Sequence, residues 1–180
     1  MHIRNIFENN IKELDPRKAY KYLSIEESFD IQHKNEKEKL MKEYLKRLRL
    51  VLGTELSAKN KIQETGSLAA PVLRYSFGTV NWYQEELQKL DRKTRKLLTI
   101  HGQHHPKADV DGLYVSTKQG GRGLIKLQAA HAVEIKILVE YVDRKEDPLI
   151  QVVRTHQHTN SPVLQTARCL KTELKRETGK

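Results

Sequence analysis

Lys89-Leu-Asp-Arg-Lys-Thr-Arg-Lys-Leu-Leu-Thr-Ile100 is the stretch from which the fold can best be argued, since five of its first eight residues are basic and one is acidic. Wound as a helix at about 100° per residue, it separates into two sides. One side carries Tyr83, Leu87, Leu90, Thr94 and Leu97. The other carries Lys89, Arg92, Lys93 and Lys96, with Arg95 at its margin. This pattern predicts a helix that packs one face on a protein body and presents the other to a polyanion such as nucleic acid.

The overall charge points to the same class of partner. The 180 residues carry a formal net charge of +10, with 31% charged and 37% hydrophobic residues. That length suits one ordinary domain or two small subdomains around a modest core. A basic chain favours RNA, DNA or an anionic membrane face. The single cysteine, Cys169, excludes an internal disulfide framework and fits a reducing compartment.

No apolar run is long enough to span a bilayer, and the first ten residues do not resemble a secretory signal. We therefore expect an intracellular protein of the nucleus or cytoplasm with no membrane partner.

A second helix is predicted from Asn35 to Leu56. Its apolar stripe is formed by Leu40, Tyr44, Leu48 and Leu52. A separate stripe of cations is formed by Lys39, Lys42, Lys46 and Arg49. Ser57 is a plausible N-cap for the next segment, which Pro71 should kink or interrupt. The basic helix should start at Trp82, because Asn81 and Gln84 have the spacing of a capping box, and end near Ile100.

The fold class expected from these patterns is mainly α: a helical bundle with a small N-terminal β-hairpin and a loop-rich middle segment. The hairpin belongs to residues 1–34, the helical region to 35–100, and the loop-rich connection with C-terminal helices to 101–180. Within the last region, Leu113-Tyr-Val115 suggests a short strand. Leu127 to Val142 suggests a helix that buries Ala130, Val133, Ile137 and Tyr141 or their neighbours. Asp147-Pro148 and Ser161-Pro162 are helix starts, the second leading to a stripe of Val163, Ala167, Leu170 and Leu174.

Three further motifs have a structural interpretation beside a functional one. His101-x-x-His104-His105 and His156-x-His158 lack cysteine or carboxylate support for zinc, so a turn after a helix is favoured. Asp109-x-Asp111-Gly lacks the further acids of a calcium loop, so Asp111 is interpreted as a turn or cap residue. Gly120-Gly-Arg-Gly123 matches no phosphate-loop motif, so a tight turn with positive φ is favoured, although Arg122 in it could touch a phosphate.

The sequence contains no nucleophile motif and no adjacent aspartate pair. We therefore expect no catalytic residue, no metal site and no cofactor in this chain. The residues expected to contact phosphates are Lys89, Arg92, Lys93, Arg95, Lys96, Lys42, Lys46, Arg49 and Arg122.

Several blocks in order resemble one known family. They are Tyr20-Lys-Tyr-Leu-Ser-Ile25, Pro71-Val-Leu-Arg-Tyr-Ser-Phe-Gly78, Trp82, Leu90 to Thr99, His105-Pro-Lys-Ala-Asp-Val-Asp111, Leu113-Tyr-Val115 and Gly120-Gly-Arg-Gly-Leu124. Together they are similar to the part of LINE-type (non-LTR) retrotransposon reverse transcriptases just after the polymerase palm. The resemblance runs from about residue 11 to residue 160.

This resemblance implies a fragment of an RNA-directed DNA polymerase: the end of the palm, the thumb and the segment beyond it. It assigns the primer grip to Tyr22, Leu23 and Ser24, where serine replaces the family's usual glycine. It also assigns the thumb, which holds the template–primer duplex, to the helices from about 35 to 100. The family's Ala/Tyr-x-Asp-Asp carboxylates, which hold two magnesium ions, should lie before residue 1. The expected function is thus binding of an RNA/DNA duplex or RNA, together with the rest of the palm in a longer chain, and no polymerase activity alone.

Two other functions stay open. The chain could be a stand-alone basic helical adaptor for RNA or protein, such as a domesticated remnant. It could also be a metal-dependent enzyme that uses its histidine cluster.

Overall fold

The computed structural model describes the side chains of residues 33–152 and the backbone of 20–22, 25–27 and 33–156. Helices dominate the described residues. They are α1 (His33–Leu52), α2 (Ala58–Glu64), a π-helical turn (Thr65–Ala69), α3 (Ala70–Arg74), α4 (Gln84–Ile100), α5 (Asp111–Tyr114), a 3-10 turn (Thr117–Gln119), α6 (Leu127–Arg144) and α7 (Pro148–His156). The predicted mainly helical class is confirmed.

Helix α1 is the predicted second helix with its ends moved. It buries Tyr44, Leu48 and Leu52 from the predicted stripe, and Val51 joins them. The helix ends at Leu52, four residues before the predicted Leu56. The Gly53 N–H still donates to the Arg49 carbonyl at 2.9 Å, but the Thr54 N–H turns to the Val51 carbonyl three residues back at 3.3 Å.

Pro71 interrupts the next helical segment as predicted, and the interruption takes the form of a wider turn. Ser57 caps α2 by accepting the Asn60 N–H at 3.4 Å. Proline has no N–H for the carbonyl four residues back. The π-helical turn ends at Ala69, and Pro71 lies in the first turn of α3, where a missing N–H costs least. Helix α2, the π-helical turn and α3 all pack along α1.

The turn between α3 and α4 anchors the core. The indole of Trp82 donates to the Ser76 hydroxyl at 3.0 Å and meets the Phe77 ring edge-on, with centroids 6.4 Å apart. Trp82 is therefore a core residue before the helix and does not start it. The predicted capping box at Asn81 is wrong: α4 begins at Gln84, and Glu86 accepts the Tyr83 N–H at 2.9 Å.

One hydrophobic core joins helices α1 to α5 and the start of α6. Its largest members are Trp82, Tyr44, Phe77, Leu48, Leu52, Leu73, Leu87, Leu90, Leu98, Leu113 and Leu127. The hydroxyls of Tyr44 and Thr94 join α1 to α4 at 2.8 Å. Helix α6 packs on both α4 and α3.

Two predictions for the region after α4 need correction. Leu113 and Tyr114 lie in the short helix α5 and not in a strand, because the Asp109 carboxylate accepts the N–H groups of Asp111 and Gly112 and starts a helical turn. Asp109, rather than the predicted Asp111, is therefore the capping residue.

Helix α6 covers the predicted range but buries the neighbours of the residues that we named. Ile135 is 1% exposed, whereas Val133 and Ile137 are each 54% exposed. His131 and Val139 complete the buried side. The predicted start of α7 at Pro148 is confirmed, with Asp147 accepting the Leu149 N–H at 2.8 Å.

The N-terminal segment is described only in part. The backbone pairs Tyr20–Tyr22 with Ile25–Glu27 in antiparallel register, with Lys21 opposite Glu26. Strands of three residues do not form a stable element by themselves. The hairpin of residues 1–34 and the three-region division therefore stay predictions, and the predicted helix after Ser161 lies outside the described residues.

Candidate nucleic-acid interface

The outer face of α4 carries the predicted cations. Lys89, Arg92, Lys93 and Lys96 are all exposed, while Leu87, Leu90, Thr94 and Leu98 on the other side are buried. Among residues 33–152, no carboxylate lies within ion-pair distance of these four cations. The face is therefore a concentration of positive charge without internal compensation, held in place by a helix that the core fixes.

Arg95 is the exception within this stretch. Its side chain is half-buried, and one guanidinium nitrogen donates to the Tyr114 hydroxyl at 2.8 Å. Burial raises the pKa of Tyr114, whereas this hydrogen bond lowers it. The structure thus places Arg95 at the margin that the helical wheel predicts, where it positions α5 against α4.

The α1 stripe is a second set of exposed cations. Lys42, Lys46 and Arg49 are exposed and have no ion pair within the described part of the chain, whereas Lys39 pairs with Glu36 at 3.3 Å. Lys42 and Lys46 lie two residues before and after Tyr44, so they project from the opposite side of the helix at about 100° per residue. The stripe therefore points away from the core and from the bond between Tyr44 and Thr94.

Not every lysine of α1 belongs to this surface. Lys37 is 6% exposed and bonds Glu86 at 2.6 Å, and its ammonium lies 4.4 Å from the Tyr83 ring centre. Glu86 also accepts the Tyr83 N–H, so one carboxylate fixes both the start of α4 and its contact with α1. Charge alone did not separate this structural lysine from the surface ones.

The acid within the basic stretch has a structural role that the sequence pattern did not predict. Asp91 is 3% exposed, and its carboxylate accepts the Leu127 N–H at 3.1 Å. It therefore caps the N-terminus of α6 from another helix, since Lys126 provides no side-chain cap. Burial raises the pKa of the Asp91 carboxyl, against the opposing effects of the Leu127 and Gln128 N–H groups. Asp91 comes four residues after Leu87, on the inner side of the helical wheel. This position in the sequence could have indicated that its side chain is buried.

Arg122 lies in the predicted tight turn. Gly120 and Gly123 adopt positive φ of 81° and 72°. The main-chain N–H groups from Gly120 to Gly123 all donate to carbonyls of residues 112–117, so this turn does not offer its backbone to a phosphate. The Arg122 side chain is exposed, and its guanidinium donates to the Gln103 carbonyl.

The histidines do not converge. His104 is buried, and His105 accepts the Lys107 N–H at 3.2 Å within its own turn. Among the described residues, no three His, Cys, Asp or Glu side chains come together as metal ligands. Of the second motif, only the backbone of His156 is described, and His158 lies outside the described residues.

The primer-grip assignment falls mostly outside the described part of the chain. Leu23 and Ser24 are not described, and of Tyr22 only the backbone is.

The helices from 33 to 156 include none with the length and apolar character needed to cross a bilayer. No protein-family model, curated protein or solved structure matches the chain.

Proposed function

We propose that this protein binds the phosphate backbone of an RNA/DNA duplex or of RNA through the outer face of α4. The observation that supports the proposal is the set of four exposed cations on one helix face without a carboxylate partner among residues 33–152. Lysine and arginine hold phosphates and position the nucleic acid without reading its sequence. The α1 stripe, which lies on a different helix face, and Arg122 are proposed as contacts for nucleic acid beyond the segment that α4 holds.

The test is fluorescence anisotropy with a labelled RNA/DNA duplex over a salt series. Four phosphate contacts should give a slope of log affinity on log salt of about −3.5, or roughly a hundredfold loss between 50 and 200 mM salt. Arg92→Glu plus Lys96→Glu should weaken binding at least tenfold at the lower salt. Lys107→Glu plus Lys136→Glu is the matched control, since it changes the net charge equally on other surfaces. Equal affinities for the two double variants would refute the α4 face as the contact surface.

A narrower proposal is that the chain is the thumb part of a LINE-type reverse transcriptase. The ordered sequence blocks support it, and the mainly helical fold is compatible with it. Two-metal phosphoryl transfer uses paired carboxylates, and the sequence contains no adjacent aspartate pair. We expect no magnesium-dependent primer extension by the purified chain. Extension above a no-enzyme control would contradict this narrower proposal and leave the binding proposal intact.

The alternative is a stand-alone basic adaptor for RNA or protein. Hydrogen exchange separates the two, because an adaptor needs a self-sufficient N-terminal hairpin whose amides are protected in the isolated chain. Fast exchange there favours the polymerase-fragment proposal.

A further inference from the structure

A cleft opens between α2 and the glycine turn, apart from the α4 face. Its volume is about 450 Å³, within the size range of small-ligand sites. Lys59 and Gln63 of α2 form one wall, and Ser116, Thr117 and Arg122 form the other. An adjoining lobe of about 420 Å³ shares Lys59, Thr117 and Arg122.

The lining chemistry is that of an anion site. Lys59 and Arg122 supply two cations from separate elements, and no carboxylate lines either lobe. The hydroxyls of Ser116 and Thr117 and the Gln63 amide add hydrogen-bond donors. Lys59 has no ion pair within the described chain, so its charge is available to a ligand.

The wall that carries Arg122 is held in place before any ligand binds. The Arg122 N–H donates to the Gly112 carbonyl at 3.0 Å, and its guanidinium donates to the Gln103 carbonyl. Gly121 lies so close to Val115 that an added Cβ would be 2.1 Å from the Val115 carbonyl oxygen. A fixed arginine loses less conformational entropy when it binds a ligand.

An aromatic ring borders the same cleft. Tyr114 lines it, and its hydroxyl accepts a hydrogen bond from Arg95 at 2.8 Å. Because Arg95 belongs to α4, the ring is fixed relative to the basic helix. A ring beside a cationic pair suits a base or sugar beside a phosphate.

We propose that this cleft binds the phosphate of a nucleotide, with Lys59 and Arg122 holding the phosphate oxygens and Tyr114 beside the nucleoside. The site deepens the proposed function, on which it rests for its ligand class. Two sources carry the same group: a free mononucleotide, or the phosphorylated end of a bound strand.

The test follows amide chemical shifts of the full chain in NMR titrations with AMP, adenosine and inorganic phosphate. Shifts at Gly120, Gly121 and Gly123 should saturate with AMP at least tenfold more tightly than with adenosine. A 5′-phosphorylated single strand that binds more tightly than AMP identifies the strand end as the source. AMP that binds as tightly as the strand identifies the free nucleotide.

Variants separate the cleft from the α4 face. Lys59→Ala and Arg122→Ala should each weaken AMP binding at least fivefold, and Lys118→Ala, on the same turn but outside the lining, should leave it unchanged. If Arg122→Ala perturbs the fold through its lost bond to Gln103, Lys59→Ala decides the question, since Lys59 makes no such bond. Equal binding of AMP and adenosine, or AMP binding that is unaffected by Lys59→Ala, overturns the cleft proposal.

The two proposals fail in different ways. Arg92→Glu plus Lys96→Glu should weaken duplex binding at least tenfold while AMP still shifts the cleft amides. Duplex binding that survives in a protein indifferent to AMP would overturn the cleft alone.

Discussion

Asp91 has a structural role on a helix whose outer face carries the opposite charge. It is the acid of a basic stretch, yet it is buried and caps α6. A buried carboxylate is costly unless hydrogen bonds satisfy it, and its second oxygen has no partner among the described residues. The cost should therefore appear as a dependence of stability on pH.

We predict that Asp91→Asn removes part of this dependence. The raised pKa means that the folded chain binds the proton more tightly than the unfolded chain. The stabilisation is complete below the ordinary Asp pKa and is lost as pH rises through the folded-state value. The free energy of unfolding of the wild type, relative to Asp91→Asn, should therefore fall across that interval, by about 1.4 kcal/mol for each unit of pKa elevation.

Urea unfolding of both proteins at several pH values measures this difference. The comparison must be between the two proteins, because His131 acts in the opposite direction. Burial lowers the pKa of His131, so that its contribution is complete above the ordinary value of 6.5 and is lost as pH falls from there through the lower folded-state value. A constant difference between wild type and Asp91→Asn from pH 4 to pH 7 would contradict the prediction.

At the level of helices, the hydrophobic period predicted where a helix forms better than it predicted which side of that helix is buried. The α1 stripe was correct because only one side of that helix is apolar. Helix α6 carries apolar residues on two sides. Its hydrophobic period therefore did not decide whether the side of Ile135 or the side of Ile137 is buried. Tertiary contacts decide which side of α6 is buried. Asp91 fixes the first turn of α6, and the His131 ring meets the Phe77 ring edge-on, with centroids 5.0 Å apart.

At the ends of helices, neighbouring residues gave conflicting indications of where the helix begins. Asn81 and Tyr83 each have a Gln or Glu three residues later, which is the spacing of a capping box. Because Trp82 is buried in the core, the helix begins after it and Tyr83 is the N-cap residue. The alternation at Leu113 suggested a strand, but Asp109 starts a helical turn and Leu113 enters the core. For the candidate site, the helical wheel correctly predicted which cations of α4 are exposed. It could not predict the burial of Lys37 or the position of Lys59 in the cleft, because both depend on contacts between distant segments.

At the scale of the whole molecule, the core crosses the predicted division at residue 100. Leu98 of α4, Leu113 of α5 and Leu127 of α6 belong to the same hydrophobic cluster. The α4 face and the cleft are consequently fixed to one packed body, joined by the bond between Arg95 and Tyr114. The two surfaces proposed to bind a duplex and a nucleotide therefore have a fixed relative position.

The same geometry predicts that the two basic stripes act separately. Lys42 and Lys46 flank Tyr44 as Arg92 and Lys96 flank Thr94, and the two central hydroxyls are bonded at 2.8 Å. Each stripe therefore lies on the side of its helix that faces away from this bond, so the stripes form two outward faces.

If the duplex lies on α4, neutral Arg92→Ala plus Lys96→Ala should reduce the salt slope by about two, one for each lost phosphate contact. Lys42→Ala plus Lys46→Ala removes the same charge from α1 and should lower affinity slightly with the slope unchanged. Anisotropy titrations across the same salt series measure both slopes. Equal reductions would show that one duplex contacts both stripes, which the separation of the two faces does not permit.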